Sequence, residues 1–306
     1  MNRNRHPRLG DAPHKPILLL AILDGIEGGS IRDNKVALTP ELVATFRRYW
    51  KLLVPENTWQ ERIIYPFRYL ASEGFWELTR SGAAIAESDL GHPTSIGRLT
   101  SLVDFGRFVP GLWTLLSNTT TRAIFRNALL TTYFPGHTDL ANQPGITPAE
   151  LLRLEAERLI TEASRSSFRP MPIPRSEQES DVAYLRHYLF PRVVTALYEN
   201  TCSICRLQVW GEEDGTIVDA AHVMPFARFH NDDPRNGIAL CKNHHWGFDR
   251  GWFTITEEYR VRRSGRIKGG YDLYLTNGAP LLLPTDTQYA PASEALFWHS
   301  KNVFLG

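Results

Sequence analysis

The sequence predicts an α+β protein with a mainly helical N-terminal domain and a C-terminal domain built from a β-hairpin and a helix. The chain has 306 residues, which is about enough for two domains. Helical periodicity dominates the first half of the chain, and a stretch rich in Pro, Ser, Arg and Glu follows at residues 164–182. All three cysteines then fall within residues 202–241, and this odd number argues against a disulfide framework.

The first domain is expected to span residues 1–163. Thr39 is the predicted N-cap, and Pro40 follows it at the first helical position. Thr147 and Glu150 form a capping box for a later helix. A short helix and then a strand are expected on either side of Gly74. The segments predicted to be helical are residues 14–26, residues 39–53, residues 121–134 and residues 147–163.

Residues 164–182 lack helical or strand periodicity and are predicted to be an interdomain linker. The C-terminal domain is expected to span residues 183–306. Its first helix is expected at about residues 183–199, kinked or broken at Pro191.

Composition and charge exclude some classes of protein. No run approaches about 18 consecutive apolar residues, so no membrane span is expected. The N-terminus lacks a secretory core and cleavage site, which predicts a cytoplasmic protein. Net charge is only +1, but arginine clusters at two places suit a phosphate backbone as well as a solvated surface. These clusters are Arg3, Arg5, His6 and Arg8, and Arg260, Arg262, Arg263, Arg266 and Lys268.

The cysteines are spaced for a metal. Cys202 and Cys205 form the CxxC pair of a zinc knuckle, and Cys241 and His244 repeat the spacing 36 residues later. Two such pairs supply the four ligands of a tetrahedral Cys₃His site. The sequence therefore predicts a structural Zn²⁺. The alternative is free structural cysteines and an exposed histidine.

A second group of polar residues lies around the cysteines. A strand is expected to end at His222, and a second strand follows the turn at Asn236. If a helix begins near Lys242, His245 and Asp249 share one helical face, because they stand at positions i and i+4. Such a pair is placed to chelate a divalent cation.

These residues resemble a known domain. The stretches CSIC, DAAH, NGIALCKNHH and FDRG in residues 202–255 resemble the HNH endonuclease domain, which has the ββα-metal fold. The resemblance implies that His222 is the general base and that Asn236 braces the loop carrying it. It also implies that His245 and Asp249 face a catalytic Mg²⁺ or Mn²⁺, whereas Cys241 and His244 hold zinc.

One position departs from the pattern. Many members of the family carry a metal ligand directly before the base, where this chain has Ala221. Asp219 lies two residues earlier on the same strand face and is the candidate substitute. A related subset of the family also lacks the adjacent ligand.

The first half of the chain resembles a different module. The stretches HKPILLLAIL, YPFRYLASEGFWEL and ALLTTYFPG, within residues 10–140, resemble the sulfur-binding domain of McrA-like, modification-dependent restriction endonucleases. That family joins such a domain to a C-terminal HNH domain, in the order seen here. The resemblance implies an apolar pocket for a phosphorothioate sulfur, with basic residues on the adjoining backbone.

The candidate residues for binding modified DNA are His14, Lys15, Tyr65, Pro66, Arg68 and Tyr69. Tyr69 stands where the family often has a small residue. The alternative roles are core packing for Tyr65, Pro66 and Tyr69, a helix start for His14 and solvent exposure for Lys15.

The expected function is a zinc-containing, divalent-metal-dependent endonuclease that cuts double-stranded DNA bearing a foreign modification. Cutting both strands with one site per chain suggests a homodimer or two independent nicks. Two alternatives stay open. One is an HNH nuclease whose N-terminal domain recognises protein or unmodified DNA, and the other is a DNA-binding regulator that keeps a degenerate HNH fold as a zinc scaffold.

Overall fold

The computed structural model describes residues 1, 4–56, 58–141, 147–211, 215–270 and 274–306. Arg3 of the N-terminal basic cluster lies outside these residues. The chain forms two compact units. The first unit comprises residues 1–155 with 179–185, and the second comprises residues 156–178 with 186–306.

The first unit is mainly helical, as the sequence predicts, and it also contains short strands. Its elements in chain order are β1 (Arg5–His6), β2 (Gly10–Asp11), α1 (His14–Glu27), α2 (Pro40–Leu53), α3 (Ile64–Tyr69), β3 (Trp76–Arg80), β4 (Ala83–Ile85), α4 (Ile96–Thr100), β5 (Phe105–Phe108), α5 (Pro110–Ser117) and α6 (Thr119–Tyr133). Two helices contribute residues to both units, and these are α7 (Pro148–Arg165) and α9 (Asp181–Leu197), with the short α8 (Arg175–Gln178) between them.

Helix α1 is the centre of the first unit. Its residues from Ile17 to Leu23 are buried, apart from the partly exposed Leu19, so the helix is apolar on nearly every side and packs against α2, α3 and α6. Arg126 of α6 binds Asp24 of α1 and the Tyr49 hydroxyl of α2. This buried guanidinium ties three helices together.

A three-stranded antiparallel sheet in the order β4-β3-β5 covers one side of this unit. Trp76 of β3 is buried, and its indole N–H donates to the carbonyl of Phe67 at 3.0 Å. Gly106 of β5 lies against this indole, and a Cβ there would stand 1.9 Å from the ring. Glycine is therefore required at this position by a close approach rather than by a turn.

The capping signals in the sequence are confirmed. Thr39 accepts a hydrogen bond from the amide of Leu42 at 3.3 Å, and Pro40 begins α2. Thr147 and Glu150 exchange hydrogen bonds of 2.9 and 3.3 Å at the start of α7. These side chains satisfy amides that a helix leaves without internal partners.

The segment predicted to be a linker contains structure. Helix α7 continues to Arg165, α8 lies inside the segment, and α9 begins at Asp181. The amide of Ile173 donates to the carbonyl of Phe229 at 2.9 Å, which fixes part of the segment on the second unit. Helix α9 runs through Pro191 without a break.

The second unit contains a β-hairpin followed by a helix. Its further elements are β6 (Trp210–Gly211), β7 (Gly215–Thr216), β8 (Val218–His222), α10 (Phe226–Phe229), β9 (Gly237–Cys241), α11 (Lys242–Asp249), β10 (Phe253–Ile255), β11 (Val261–Arg263) and α12 (Ser293–Asn302). Strands β8 and β9 pair antiparallel, with Val218 opposite Cys241 and His222 opposite Gly237. The predicted order of strand, turn, strand and helix is confirmed.

Among the described residues, no helix is both long and apolar enough to cross a membrane.

Candidate functional site

The four predicted zinc ligands lie together. Their ligand atoms, one from each of Cys202, Cys205, Cys241 and His244, are all within 4.8 Å of one another. The Cys205 and Cys241 sulfurs are 3.9 Å apart, and His244 Nδ1 lies 3.1 Å from Cys241 Sγ and 3.5 Å from Cys202 Sγ. A tetrahedral zinc with Zn–S bonds of about 2.3 Å holds its ligand atoms about 3.8 Å apart, so the cluster has the size that zinc requires.

The hydrogen-bonding of His244 also suits zinc. Its Nε2–H donates to the carbonyl of Tyr274 at 2.8 Å, which leaves the lone pair of Nδ1 facing the sulfurs. The Cys241 thiol lowers the pKa of Cys202 well below its usual value by hydrogen bonding to its sulfur. The same pairing raises the pKa of Cys241, so Cys202 is the sulfur of this pair that loses its proton more readily.

The knuckle is fixed to the hairpin by backbone hydrogen bonds. Arg206 has a left-handed backbone conformation (φ 64°), and its amide donates to the carbonyl of Cys202 at 3.0 Å. The amide of Ser203 donates to Ala239 of β9 at 2.8 Å. The cluster thus joins the knuckle to the end of β9 and the start of α11.

His222 lies at the end of β8 in a defined environment. Its ring stacks on Phe190 of α9, with centroids 3.9 Å apart and an interplanar angle of 9°. Its Nε2–H donates to Asp232 Oδ1 at 3.0 Å, because an ionised carboxylate only accepts. The lone pair of the neutral imidazole is then on Nδ1, which is the nitrogen able to take a proton.

Asn236 is fully buried and holds the loop that follows His222. Its Oδ1 accepts from the amide of Met224 at 2.9 Å, and its Nδ2 donates to the carbonyls of Met224 and Asn231 at 3.1 and 3.0 Å. The Asn236 side chain therefore links the backbone at Met224, just after His222, to the backbone at Asn231.

His245 lies between two carboxylates. Its Nδ1 is 3.2 Å from Asp219 Oδ2, and its Nε2 is 3.5 Å from Asp249 Oδ2. Asp219 also accepts from Lys242 Nζ at 2.6 Å. With the proton on Nδ1, the lone pair of Nε2 and a carboxylate oxygen of Asp249 face one another, an arrangement that suits a bound cation.

Asp219, His245 and Asp249 do not converge on one point, since the two carboxylates engage opposite nitrogens of the ring. Within the described part of the chain, the cysteine cluster is the one group of three or more Cys, His, Asp or Glu residues whose ligand atoms converge in this way. Ala221 is fully buried and offers no ligand.

The first unit contains an open pocket of about 610 Å³, hereafter the recognition pocket. It is lined by Asn4, Ala12, His14, Lys15, Trp59, Gln60, Tyr65, Pro66, Tyr69 and Ser72. Helices α1 and α3 supply most of the predicted residues, and the loop before α3 supplies Trp59 and Gln60.

The recognition pocket brings together the predicted residues except Arg68. Arg68 is buried, its Nε lies 3.4 Å from Glu87 Oε1, and it does not line the pocket. Tyr65, Pro66 and Tyr69 of α3 line the pocket, whereas the Arg68 guanidinium lies between Glu87 and the ring of Tyr69, 5.1 Å from its centroid.

The pocket is aromatic and carries little free charge. The ring of His14 lies 4.6 Å from Trp50 and 5.9 Å from Trp59, and burial lowers the pKa of His14, so its imidazole is neutral. Its Nε2–H donates to the carbonyl of Gln60 at 2.9 Å. Lys15 is paired with Glu73 at 2.6 Å. Such walls favour a weakly hydrated ligand over a free phosphate.

Several of these residues carry no recognisable signal in the sequence. Trp59 and Gln60 lie in a loop without periodicity, so no pattern marks them. Asp232 is contributed by the sequence HNDDP between the two strands, and His187 lies on α9, outside the motif. The buried position of Asp232, whose side chain is 5% exposed, follows only from the folded loop.

One comparison with known protein families identifies a match within the second unit. Residues 202–256 match a family model described as HNH endonuclease. No curated protein matches the chain. A solved structure titled "Modification dependent TagI restriction endonuclease" is similar, with 20% sequence identity and a TM-score of 0.31. The similar region covers 37% of this chain and 38% of the chain in the solved structure, so this chain spans well under half of that protein. By the family match and the fold of its hairpin and helix, the chain carries an HNH endonuclease domain at residues 202–256.

Proposed function

We propose that the protein is a metal-dependent DNA endonuclease that acts on modified DNA, as a restriction enzyme would. The observation that carries the nuclease assignment is the HNH domain itself, with His222 on its first strand and the His245–Asp249 pair on its helix. Cys202, Cys205, Cys241 and His244 hold a structural Zn²⁺ that fixes the hairpin to the helix.

The chemistry uses a base and a cation. Nδ1 of His222 takes a proton from the water that attacks the scissile phosphorus, and the bond to the 3′ oxygen breaks. Histidine suits this step because its ordinary pKa is about 6.5. A bound Mg²⁺ or Mn²⁺ supplies positive charge that stabilises the phosphate and the leaving oxygen. His245 and Asp249 would hold this cation, and Asn236 keeps the loop after His222 in place.

Asp219 has a different part in this proposal from the one expected from the sequence. Its carboxylate faces Nδ1 of His245, so it orients the ring and keeps Nε2 available. Nε2 of His245 and a carboxylate oxygen of Asp249 are then the protein atoms that would hold a divalent cation.

The recognition pocket supports the choice of modified DNA. Sulfur in a phosphorothioate is softer and more weakly hydrated than oxygen. It therefore loses less hydration free energy than oxygen when it enters an aromatic pocket. Tyr65, Pro66 and Tyr69 provide such a wall, and the exposed Arg5 and Arg8 lie on the adjacent N-terminal segment. Phosphorothioated DNA is therefore the proposed substrate.

One HNH site cuts one strand. Cleavage of a duplex then needs either a homodimer or two successive nicks, and it would take place in the cytoplasm.

A second candidate function is a regulator that uses the HNH fold as a zinc scaffold, and the buried Ala221 next to His222 is the observation that favours it.

The test compares three plasmids, unmodified, phosphorothioated and cytosine-methylated, with Mg²⁺ or Mn²⁺. The His222→Ala variant should bind DNA but not cut it. A His230→Asn variant, which replaces a nearby histidine with a residue that tolerates its left-handed backbone, is the matched control. Cutting of phosphorothioated DNA alone supports the whole proposal, and cutting of all three plasmids leaves only the nuclease. No cutting under either cation favours the regulator.

A further inference from the structure

A buried carboxylate lies between two histidines beside the hairpin. The side chain of Asp232 is 5% exposed. Its Oδ1 accepts from His222 at 3.0 Å, and its Oδ2 lies 3.5 Å from Nδ1 of His187. His187 belongs to α9 and is the more exposed of the two histidines.

We infer that Asp232 is a positioning residue that fixes His222 in the tautomer with its proton on Nε2. This inference rests on the proposed nuclease function, in which Nδ1 of His222 takes the proton of water. Without the carboxylate, the imidazole can place its proton on either nitrogen, and the molecules with Nδ1 protonated cannot act as the base.

The surroundings keep Asp232 ionised and in place. Burial by itself would raise the pKa of Asp232, but hydrogen bonds from His187 and His222 outweigh it and lower the pKa below the usual value. His187 occupies the second carboxylate oxygen, so the carboxylate cannot rotate without losing a partner. The charge that faces Nε2 is therefore permanent at neutral pH.

Aromatic rings hold the planes of the two histidine rings that face Asp232. Phe190 stacks on the ring of His222, and Phe226 stacks on the ring of His187 with centroids 4.2 Å apart. Phe226 also lies 5.5 Å from the ring of His222. Stacking therefore holds the plane of the imidazole, and the hydrogen bond to Asp232 selects Nε2 as the nitrogen that faces the carboxylate.

Asp232 is placed toward His222 as a carboxylate that orients a catalytic base is placed toward that base. When such a carboxylate is replaced by a neutral amide, the geometry survives but turnover falls by about 10⁴-fold because the wrong tautomer is populated. We expect kcat of Asp232→Ala to fall by about 10²-fold or more, with KM for DNA changed by less than about threefold. Asp232→Asn preserves the shape of the buried site and covers the case in which the alanine variant does not fold.

Asp233→Asn is the matched control. Asp233 is the adjacent aspartate, and it binds Arg235 at 2.7 Å rather than His222. The change removes the same charge from the same loop, so it should leave kcat and the His222 tautomer as they are in the wild-type protein.

The experiment measures the ring nitrogens of His222 directly, by ¹H–¹⁵N correlation of histidine side chains in the full-length zinc-loaded protein. The expected wild-type spectrum has a protonated Nε2 and an unprotonated Nδ1, and Asp232→Ala should shift both signals toward a tautomer mixture. A wild-type proton on Nδ1, or signals unchanged in both Asp232 variants, would overturn the inference. The spectrum needs no DNA cleavage, so a protein with the expected tautomers and no nuclease activity would sink the proposed function while supporting the assignment of Asp232.

Discussion

Asp219 and Asp249 engage opposite nitrogens of His245, at 3.2 Å from Nδ1 and 3.5 Å from Nε2. The two aspartates next to this candidate metal ligand therefore occupy different positions around its ring. A cation could bind both an oxygen of Asp249 and Nε2 of His245, because these two atoms face each other. Asp219 instead pairs with Lys242 and lies on the Nδ1 side of the ring.

This difference predicts unequal effects of two substitutions. Asp249→Ala should weaken Mn²⁺ binding and reduce cleavage by more than about 100-fold, because a direct ligand is lost. Asp219→Asn keeps an oxygen that accepts from Nδ1, so cleavage should fall by only about 10- to 100-fold. Isothermal titration with Mn²⁺ measures both affinities, and equal losses in the two variants would make Asp219 a ligand.

The cysteine cluster predicts one tightly bound zinc per chain. All three thiols of the protein lie in the cluster, so a thiol reagent should react with none of them until zinc is removed. Structural zinc contributes about 10–16 kcal/mol in small zinc domains, so chelation or Cys241→Ser should unfold the second unit. Zinc affinity should fall in acid, since the ligands must lose protons to bind. Rapid reaction of all three thiols before chelation would refute the site.

Asn236 predicts a stability effect that is separate from zinc. Asn236→Ala removes three buried hydrogen bonds and leaves the amide of Met224 and two carbonyls without that partner. The free energy of unfolding should fall by about 2–4 kcal/mol in urea denaturation. Asn302→Ala, at the exposed end of α12, is the control and should change it by less than about 0.5 kcal/mol. Similar small losses in both variants would show that the loop is held by other contacts.

The hairpin, the helix and the cysteine cluster of the second unit were predictable because each depends on residues a few positions apart in the sequence. The spacing of Cys202, Cys205, Cys241 and His244 requires a turn at each pair, and the i, i+4 spacing of His245 and Asp249 requires only one helix. The strand ends at His222 and Gly237 follow from the turn residues between them. Each of these constraints acts over a few residues, so each leaves a signature in the chain.

Asp232, His187 and Trp59 were not predictable, because their roles depend on packing between distant elements. His187 reaches Asp232 only because α9 lies against the loop after β8, and no spacing in the sequence encodes that contact. The pairing of Arg68 with Glu87 was not predictable either, because it depends on how α3 packs against a segment about 20 residues further along the chain.

The recognition pocket predicts that aromatic residues, rather than Lys15, discriminate the modification. Tyr65→Ala or Trp59→Ala should reduce the preference for phosphorothioated over plain duplex by about tenfold, which corresponds to about 1.4 kcal/mol of lost apolar contact. Ile124→Ala replaces an exposed apolar residue outside the pocket and should change nothing. Fluorescence anisotropy with the two duplexes measures the ratio of Kd values. An unchanged ratio in both aromatic variants would remove the pocket from the proposal.

Asp181 predicts how the stability of the first unit depends on pH. Burial raises the pKa of Asp181 from 3.8 to about 7, although its Oδ2 accepts a hydrogen bond from the amide of Ile63 at 2.7 Å. Its Oδ1 is buried without a hydrogen-bond partner among the described residues. A buried oxygen that accepts no hydrogen bond favours the neutral carboxyl over the carboxylate.

Because the folded pKa exceeds the unfolded one, the folded protein binds more protons than the unfolded chain between about pH 4 and 7. Stability contributed by this group is therefore present at low pH and is lost as pH rises through this window. Asp181→Asn removes the ionisation and keeps an oxygen for the amide of Ile63, so it should raise the free energy of unfolding at pH 7.5 and flatten its pH dependence. Thermal melts from pH 4.5 to 8 measure this, with the exposed Asp33→Asn as the control. A parallel pH dependence in wild type and Asp181→Asn would show that Asp181 is ionised in the folded protein without cost.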